Sequence, residues 1–271
     1  MSLRRSIGLL LVAGGLLAAA IGIFNVVDYR REQEALERFL AGRPASVAGG
    51  GPLALVEDLT AYLGTLPDGE TTARMPYHNP LYRFLKARPV DVLEHGGFCG
   101  NKSRLLVTLL HLRGIPARVA YLYNEAGWTR PDVGQPYVTA FVEARLDDRW
   151  IVVDPYLGVL FRNRAGLPAT TAELAADPEL VRAATPGWYR PEFFDYREIR
   201  GIRWGKFPMG ERIRGGIARL TSPAWANGVH YPWWAQRPNL LLAGVATAAA
   251  LLALPGGAVL LRRGAPRPRQ G

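Results

Sequence analysis

Cysteine and histidine are scarce in this chain of 271 residues: there is one cysteine, Cys99, and four histidines, His78, His95, His111 and His230. A single cysteine excludes an intramolecular disulfide, so whatever folds here must stand on its core. A lone thiol in an oxidising compartment is a liability unless it is buried or used. No internal repeat is present, and neither a metal nor a cofactor is expected. Acidic residues are also in deficit, 23 against 33 lysines and arginines. The resulting net charge of +10 includes Arg4, Arg5, Arg262, Arg263, Arg267 and Arg269 at the two ends, which leaves +4 between them. That is a poor footprint for nucleic acid, and no nucleic-acid partner is expected.

What is present in quantity is apolar residues, concentrated in two uncharged runs. The first goes from Ile7 to Val27 and is interrupted by Asn25; the second goes from Leu240 to Leu261 and contains Pro255, Gly256 and Gly257. Each has about the 20 residues needed to cross a hydrocarbon core of roughly 30 Å. The first run has a rival reading as a cleavable signal peptide, with Arg4-Arg5 as its basic start and Ala18-Ala19-Ala20 as its cleavage site. The apolar stretch continues past that site through Ile21, Ile23 and Phe24, which favours a retained span. Arginines outside both runs place both termini in the cytoplasm and the middle of the chain outside it. The expected organisation is a transmembrane helix at 1–27, a linker at 28–52, a folded domain at 53–165, an aromatic and basic extension at 166–238, a second transmembrane helix at 239–262 and a basic cytoplasmic tail at 263–271. The lipid bilayer is the first expected partner. The inner (cytoplasmic) membrane, with a periplasmic or extracytoplasmic main domain, is the expected location.

Within the middle, Asp28 to Leu40 is charged with a helical pattern, and Ala41 to Pro52 is rich in glycine, proline and alanine. Leu53, Leu55, Val56, Leu59, Tyr62 and Leu63 recur at helical spacing and should stop before Pro67-Asp68-Gly69. A loop with Pro76, His78, Asn79 and Pro80 is expected next, then a short helix over Leu81 to Lys86. Gly96-Gly97-Phe98-Cys99-Gly100 leads into a helix whose Leu105, Leu106, Leu109, Leu110 and Leu112 share its apolar side and which ends at Arg113-Gly114-Ile115-Pro116. Strands are expected at Arg118–Tyr123, Tyr137–Leu146 and Trp150–Tyr156. Asp147-Asp148 between the last two predicts a tight hairpin with Leu146 opposite Arg149. That register makes Thr139 and Asp154 diagonal neighbours on one face, taken to be the face turned toward the Cys99 helix. A helix over Thr170–Ala184, capped by Thr170 or Thr171 ahead of Glu173, completes the clear part. The segment from Gly187 to Asn239 is rich in Trp, Tyr, Arg and Pro without a clean period, and Tyr231-Pro232-Trp233-Trp234 before the second span fits an interfacial aromatic belt.

Several of these pieces occur together in an order that resembles the transglutaminase-like superfamily, a papain-like cysteine-enzyme fold. They are Gly97-Phe98-Cys99-Gly100, Arg113-Gly114-Ile115-Pro116-Ala117-Arg118, Thr139-Ala140-Phe141-Val142-Glu143 and Trp150-Ile151-Val152-Val153-Asp154-Pro155, spread over about 65 residues from Gly96 to Leu160. The resemblance implies an α+β fold in which a cysteine-bearing helix packs on an antiparallel sheet, and the two apolar runs set that core between an N-terminal and a C-terminal transmembrane helix. It implies Cys99 as nucleophile and Asp154 as the carboxylate that holds a histidine base. The position at which the family keeps that histidine is Thr139.

The chemistry explains why this departure matters. A cysteine acyl-transfer site needs an activated thiolate, a base and a group that orients the base. A helix N-terminus favours the thiolate, but a free thiol with a pKa of about 8.5 is only a few per cent ionised at neutral pH. Threonine accepts no proton in that range. The expectation is therefore a pseudoenzyme that binds or scaffolds an envelope-assembly protein, a peptide or a polysaccharide. The alternative is an active cysteine hydrolase or acyltransferase on peptide or amide bonds, with His95 as the nearest stand-in in sequence and His78 as a second; His111 lies too far along its helix.

Overall fold

The computed structural model describes residues 3–43, 50–68, 87–123, 138–187, 189, 194–206 and 208–263. The helix expected over Leu81–Lys86 and the loop with His78 lie outside these residues. The chain divides into two compact units, one formed by residues 3–34 and 233–263 and the other by residues 35–232 within the described part.

The first unit is a pair of helices. α1 spans Leu3–Ala41, with its first part in this unit, and α9 spans Pro238–Arg263. Both are long and apolar enough to cross a membrane, with mean hydropathy 2.5 and 1.9 over their best windows. Glycines set their contact: a Cβ on Gly15 would stand 2.8 Å from the Leu254 side chain, and one on Gly257 would stand 2.9 Å from the carbonyl oxygen of Gly8. Gly8, Gly15 and Gly22 recur every seven residues and meet Leu261, Leu254 and Thr247, which are likewise seven apart. In lipid there is no hydrophobic drive between helices, so small residues that allow close backbone approach are what hold such a pair. Pro255 is carried inside α9.

In the second unit the end of α1 buries Leu36 and Leu40, so the charged segment after the first apolar run is helical and its last turns belong to a core. α2 (Gly51–Thr65) buries Leu55, Val56, Leu59 and Leu63, the periodic set anticipated from spacing. α3 (Pro89–His95) and α4 (Cys99–Leu112) follow. α4 stops where Gly114 takes φ +71°, with Ile115 N–H donating back to Leu110 O at 3.0 Å. Then comes an antiparallel meander of four strands in the order β1 (Ala117–Tyr123), β2 (Val138–Leu146), β3 (Arg149–Asp154) and β4 (Val159–Leu160). The hairpin register is the anticipated one, with Leu146 opposite Arg149 across Asp147-Asp148 and Asp147 at φ 52°.

Both faces of this sheet are buried, each against a different partner. Val119, Ala140, Val142, Ala144, Ile151 and Val153 pack with the leucines of α2 and α4. Ala120, Leu122, Phe141, Val152 and Phe161 pack with Leu174, Val181, Tyr189, Phe194 and Tyr196. Leu174 and Val181 come from α5 (Thr171–Ala176) and α6 (Pro178–Ala184). A single helix was expected there; Asp177 leaves helical geometry ahead of Pro178 and divides it, as a residue before proline is disposed to do. The stretch without a clean period holds α7 (Gly210–Leu220) and α8 (Pro223–Gly228), with 3-10 turns at Trp204–Lys206 and Trp233–Gln236. The architecture is thus α+β, an antiparallel sheet with helices, and two candidate membrane helices at the ends.

Candidate functional site around Cys99

The loop before α4 sets where Cys99 sits. Gly96 adopts φ +78°, and a Cβ there would fall 2.3 Å from the carbonyl oxygen of Pro67, so only glycine fits. Gly97 N–H donates to that same oxygen at 3.0 Å, which ties the loop to the end of α2. Phe98 is the N-cap in extended geometry, and Cys99 is the first helical residue, partly exposed. One turn on, Ser103 Oγ donates to Ala140 O at 3.2 Å, which pins the start of the helix to the start of β2.

The groups that act on the Cys99 sulfur follow from this placement. Burial pushes the thiol up, and the Asp154 carboxylate adds to that; the Ala140 and Gly100 N–H groups and the Thr139 hydroxyl pull the other way. Among the described residues no imidazole belongs to this set. His95 has Nδ1 3.1 Å from Asp91 O on its own helix. His111 has Nε2 2.8 Å from Ala117 O at the far end of α4, and His230 has Nδ1 2.6 Å from Gly228 O. His78 lies outside the described residues.

Thr139 is 2% and Asp154 3% exposed. The alternation along β2 and β3 puts Thr139 with Phe141 and Asp154 with Val152, on the face covered by α5, α6 and the aromatic side chains. This corrects the expectation that both stand on the face turned toward the Cys99 helix. The cysteine meets them at the end of the strands, where the helix begins, rather than across the sheet. Asp154 Oδ1 accepts N–H from Tyr156 at 2.8 Å and from Leu157 at 3.1 Å, so the carboxylate caps its own turn. Burial raises its pKa to about 6, against the opposing pull of those two N–H groups and of Lys102.

Lys102 is the residue that sequence reasoning missed. It is fully buried, its Nζ donates to Leu66 O at 2.7 Å, and Asp68 Oδ1 stands 4.0 Å away. Its ammonium lies 5.2 Å from the Tyr156 ring. Burial lowers its pKa, while Asp68, Asp154 and Cys99 each act to raise it. Its position three residues after the cysteine, in a Gly-Asn-Lys-Ser run, was the available signal.

Two other motif residues prove to be partners of each other. Arg118 and Glu143 stand opposite in the β1–β2 register and pair at 2.7 Å, with the Arg118 guanidinium 4.2 Å from the centre of the Trp150 ring. Glu143 is 1% exposed and four residues along β2 from Thr139, toward the hairpin end, so this pair belongs to the sheet's packing and not to the group of side chains around Cys99. Among the described residues no three His, Cys, Asp or Glu side chains gather as a metal site would need.

Residues 68–155 match the family model described as Transglutaminase-like superfamily, a span that holds Cys99, Thr139 and Asp154. No curated protein and no solved structure matches the chain.

Proposed function

Since the chain carries a transglutaminase-like domain, we propose that it is a catalytically impaired member of that superfamily, a pseudoenzyme kept as a binding or scaffolding module in cell-envelope assembly. In this reading α1 and α9 anchor it in the inner membrane with both termini cytoplasmic, and the domain works on the periplasmic side. One observation carries the proposal: the group facing the sulfur where the family keeps its base is the Thr139 hydroxyl. A hydroxyl stabilises a thiolate slightly but takes no proton from a thiol, so the nucleophile has no local acceptor on that side. The carboxylate that would orient a base is turned to backbone N–H groups instead.

The test is the rate of alkylation of Cys99 by iodoacetamide as a function of pH. An ordinary or raised thiol, ionising at about 8 or above, is the expected result. A rate that reaches its plateau with a midpoint below about 6.5 overturns the proposal, because only an activated thiolate behaves so.

A second reading, acyl transfer from Cys99, is favoured by Lys102, a buried amine held below its usual pKa within electrostatic reach of the thiol. A burst of p-nitrophenol from p-nitrophenyl acetate that disappears in Lys102→Met would support it. No burst in the unmodified protein removes it.

A further inference from the structure

Far from the cysteine in sequence, α7 presents a side that the fold leaves uncovered. It packs against α8 and the 3-10 turn at Trp204–Lys206. On its open side Ile213 is 50% and Leu220 88% exposed, Met209 at its N-cap is 65% exposed, and Trp225 on α8 is 58% exposed. Ile213 and Leu220 are seven residues apart, two helical turns, so they stand on one face, and Met209, the N-cap with φ 60°, is exposed at the start of the same helix. A single exposed apolar side chain is ordinary, but two large ones on one helix face, with a third at its N-cap and Trp225 on the neighbouring helix, mark a surface suited to an apolar partner.

The charges beside this stripe have one sign. Glu211, the acidic residue of α7, is taken by Arg214 at 2.8 Å and by Arg200 at 3.4 Å. Among the described residues Arg212 and Arg219, both exposed and again seven apart, make no ion pair. An apolar stripe flanked by free arginines is the composition of a helix lying in a lipid interface, with the stem of each arginine on the acyl boundary and its head on phosphate. Leu220 is also tethered: eighteen residues later Pro238 opens α9, one of the two helices apolar enough to span a bilayer.

We propose that α7 is an interfacial helix that seats Met209, Ile213 and Leu220 in the headgroup region of an anionic bilayer, with Arg212 and Arg219 on lipid phosphates. This goes beyond anchoring by the spans, because it gives the folded domain a lipid contact of its own, selective for negative headgroups.

The experiment uses the full chain with Cys99→Ser and a spin label at Ile213→Cys or, separately, Leu220→Cys. It is placed in nanodiscs of phosphatidylcholine alone or with about 30% phosphatidylglycerol. Collision with oxygen, which partitions into lipid, is compared with collision with a water-soluble nickel chelate, and a label at Arg182→Cys, an exposed position of α6, is the aqueous reference. At both α7 positions nickel accessibility should fall roughly fivefold below the reference in anionic discs while oxygen accessibility rises. Arg212→Gln with Arg219→Gln should remove most of the difference between the two lipid compositions. Labels as open to nickel as the reference overturn the proposal. Labels shielded from nickel and oxygen alike also overturn it, since that pattern belongs to a protein partner or a second copy.

Discussion

Two buried polar clusters in this chain stand in opposite states. In the helix pair, Glu32 and Arg237 are 3% and 7% exposed and meet each other at 2.7 Å, with the guanidinium 5.8 Å from the Tyr29 ring. Beside Cys99, Asp154 and Lys102 are at least as buried, yet each spends its hydrogen bonds on backbone groups, Asp154 on Tyr156 and Leu157 and Lys102 on Leu66. The first cluster offsets desolvation by pairing; the second leaves charge only partly compensated, which is why burial dominates both of its pKa shifts. Structural ion pairs tend to the first condition and reactive sites to the second. The cluster beside Cys99 is in the second condition, with the Thr139 hydroxyl at the thiol.

The sharpest way to break the comparison is to unpair the closed cluster. Glu32→Ala strands the Arg237 guanidinium in a buried place and should cost about 3–5 kcal/mol, read as a fall in the unfolding midpoint of the full chain in detergent micelles. Replacing both residues with methionine should recover most of that loss, because the pair is worth little more than apolar packing of its own volume. An unchanged midpoint in Glu32→Ala would show that the two clusters do not differ in kind.

The open cluster should reveal itself through pH. An acid whose folded pKa is about 6 against 3.8 in the unfolded chain prefers its neutral form in the fold. Stability from this group is therefore greatest below pH 4, falls as pH rises from about 4 to about 6, and is level above, with a total change on the order of 3 kcal/mol. Asp154→Asn still accepts the Tyr156 and Leu157 N–H groups through its amide oxygen, but it cannot ionise. Its stability should be flat through that window and higher than that of the unmodified protein at neutral pH. Equal slopes in the two proteins would mean that Asp154 ionises freely in the fold.

Placing an imidazole at position 139 tests whether the second cluster can support a reactive thiol. Thr139→His puts an imidazole between the thiol and the carboxylate. Alkylation of Cys99 at pH 7 should then rise at least about tenfold, as an adjacent base lowers the thiol pKa. The larger side chain enters a place that is 2% exposed, so a loss of roughly 1–3 kcal/mol in stability should accompany the gain. A variant that stays folded and gains no reactivity would show that position 139 is not aligned with the sulfur.

How much of this was legible depended on whether a residue had one role or two. The α4 start, the stop at Gly114 and the hairpin register at Asp147-Asp148 were readable because each is fixed by local backbone chemistry. The face on which Asp154 stands was not, because Val152 and Val153 are both fully buried and hydrophobicity then marks neither side. Lys102 hid because a lysine on a helix ordinarily belongs to solvent, and the groups that receive its buried ammonium, the carbonyl of Leu66 first among them, are distant in sequence. α7 and α8 were obscured for a related reason: Gly215, Gly216 and exposed apolar positions interrupt the period that a core-facing helix would show.

A third polar group, at the surface, gives the baseline for both clusters. Thr170 Oγ1 accepts from Glu173 N–H at 3.3 Å while Glu173 Oε2 accepts from Thr170 N–H at 2.7 Å, a reciprocal box at the start of α5. Those bonds, with Asn163 and Arg149 beside them, hold the Glu173 carboxyl well below its usual range. Water competes for every one of these groups, so their loss should be mild even though the shift is large. Thr170→Ala should lower stability by about 1 kcal/mol, measured by chemical unfolding at pH 7, with no change in Cys99 alkylation. A loss as large as that of Glu32→Ala would mean that α5 carries the sheet face bearing Asp154, and that the surface and the site are one cooperative cluster instead of two.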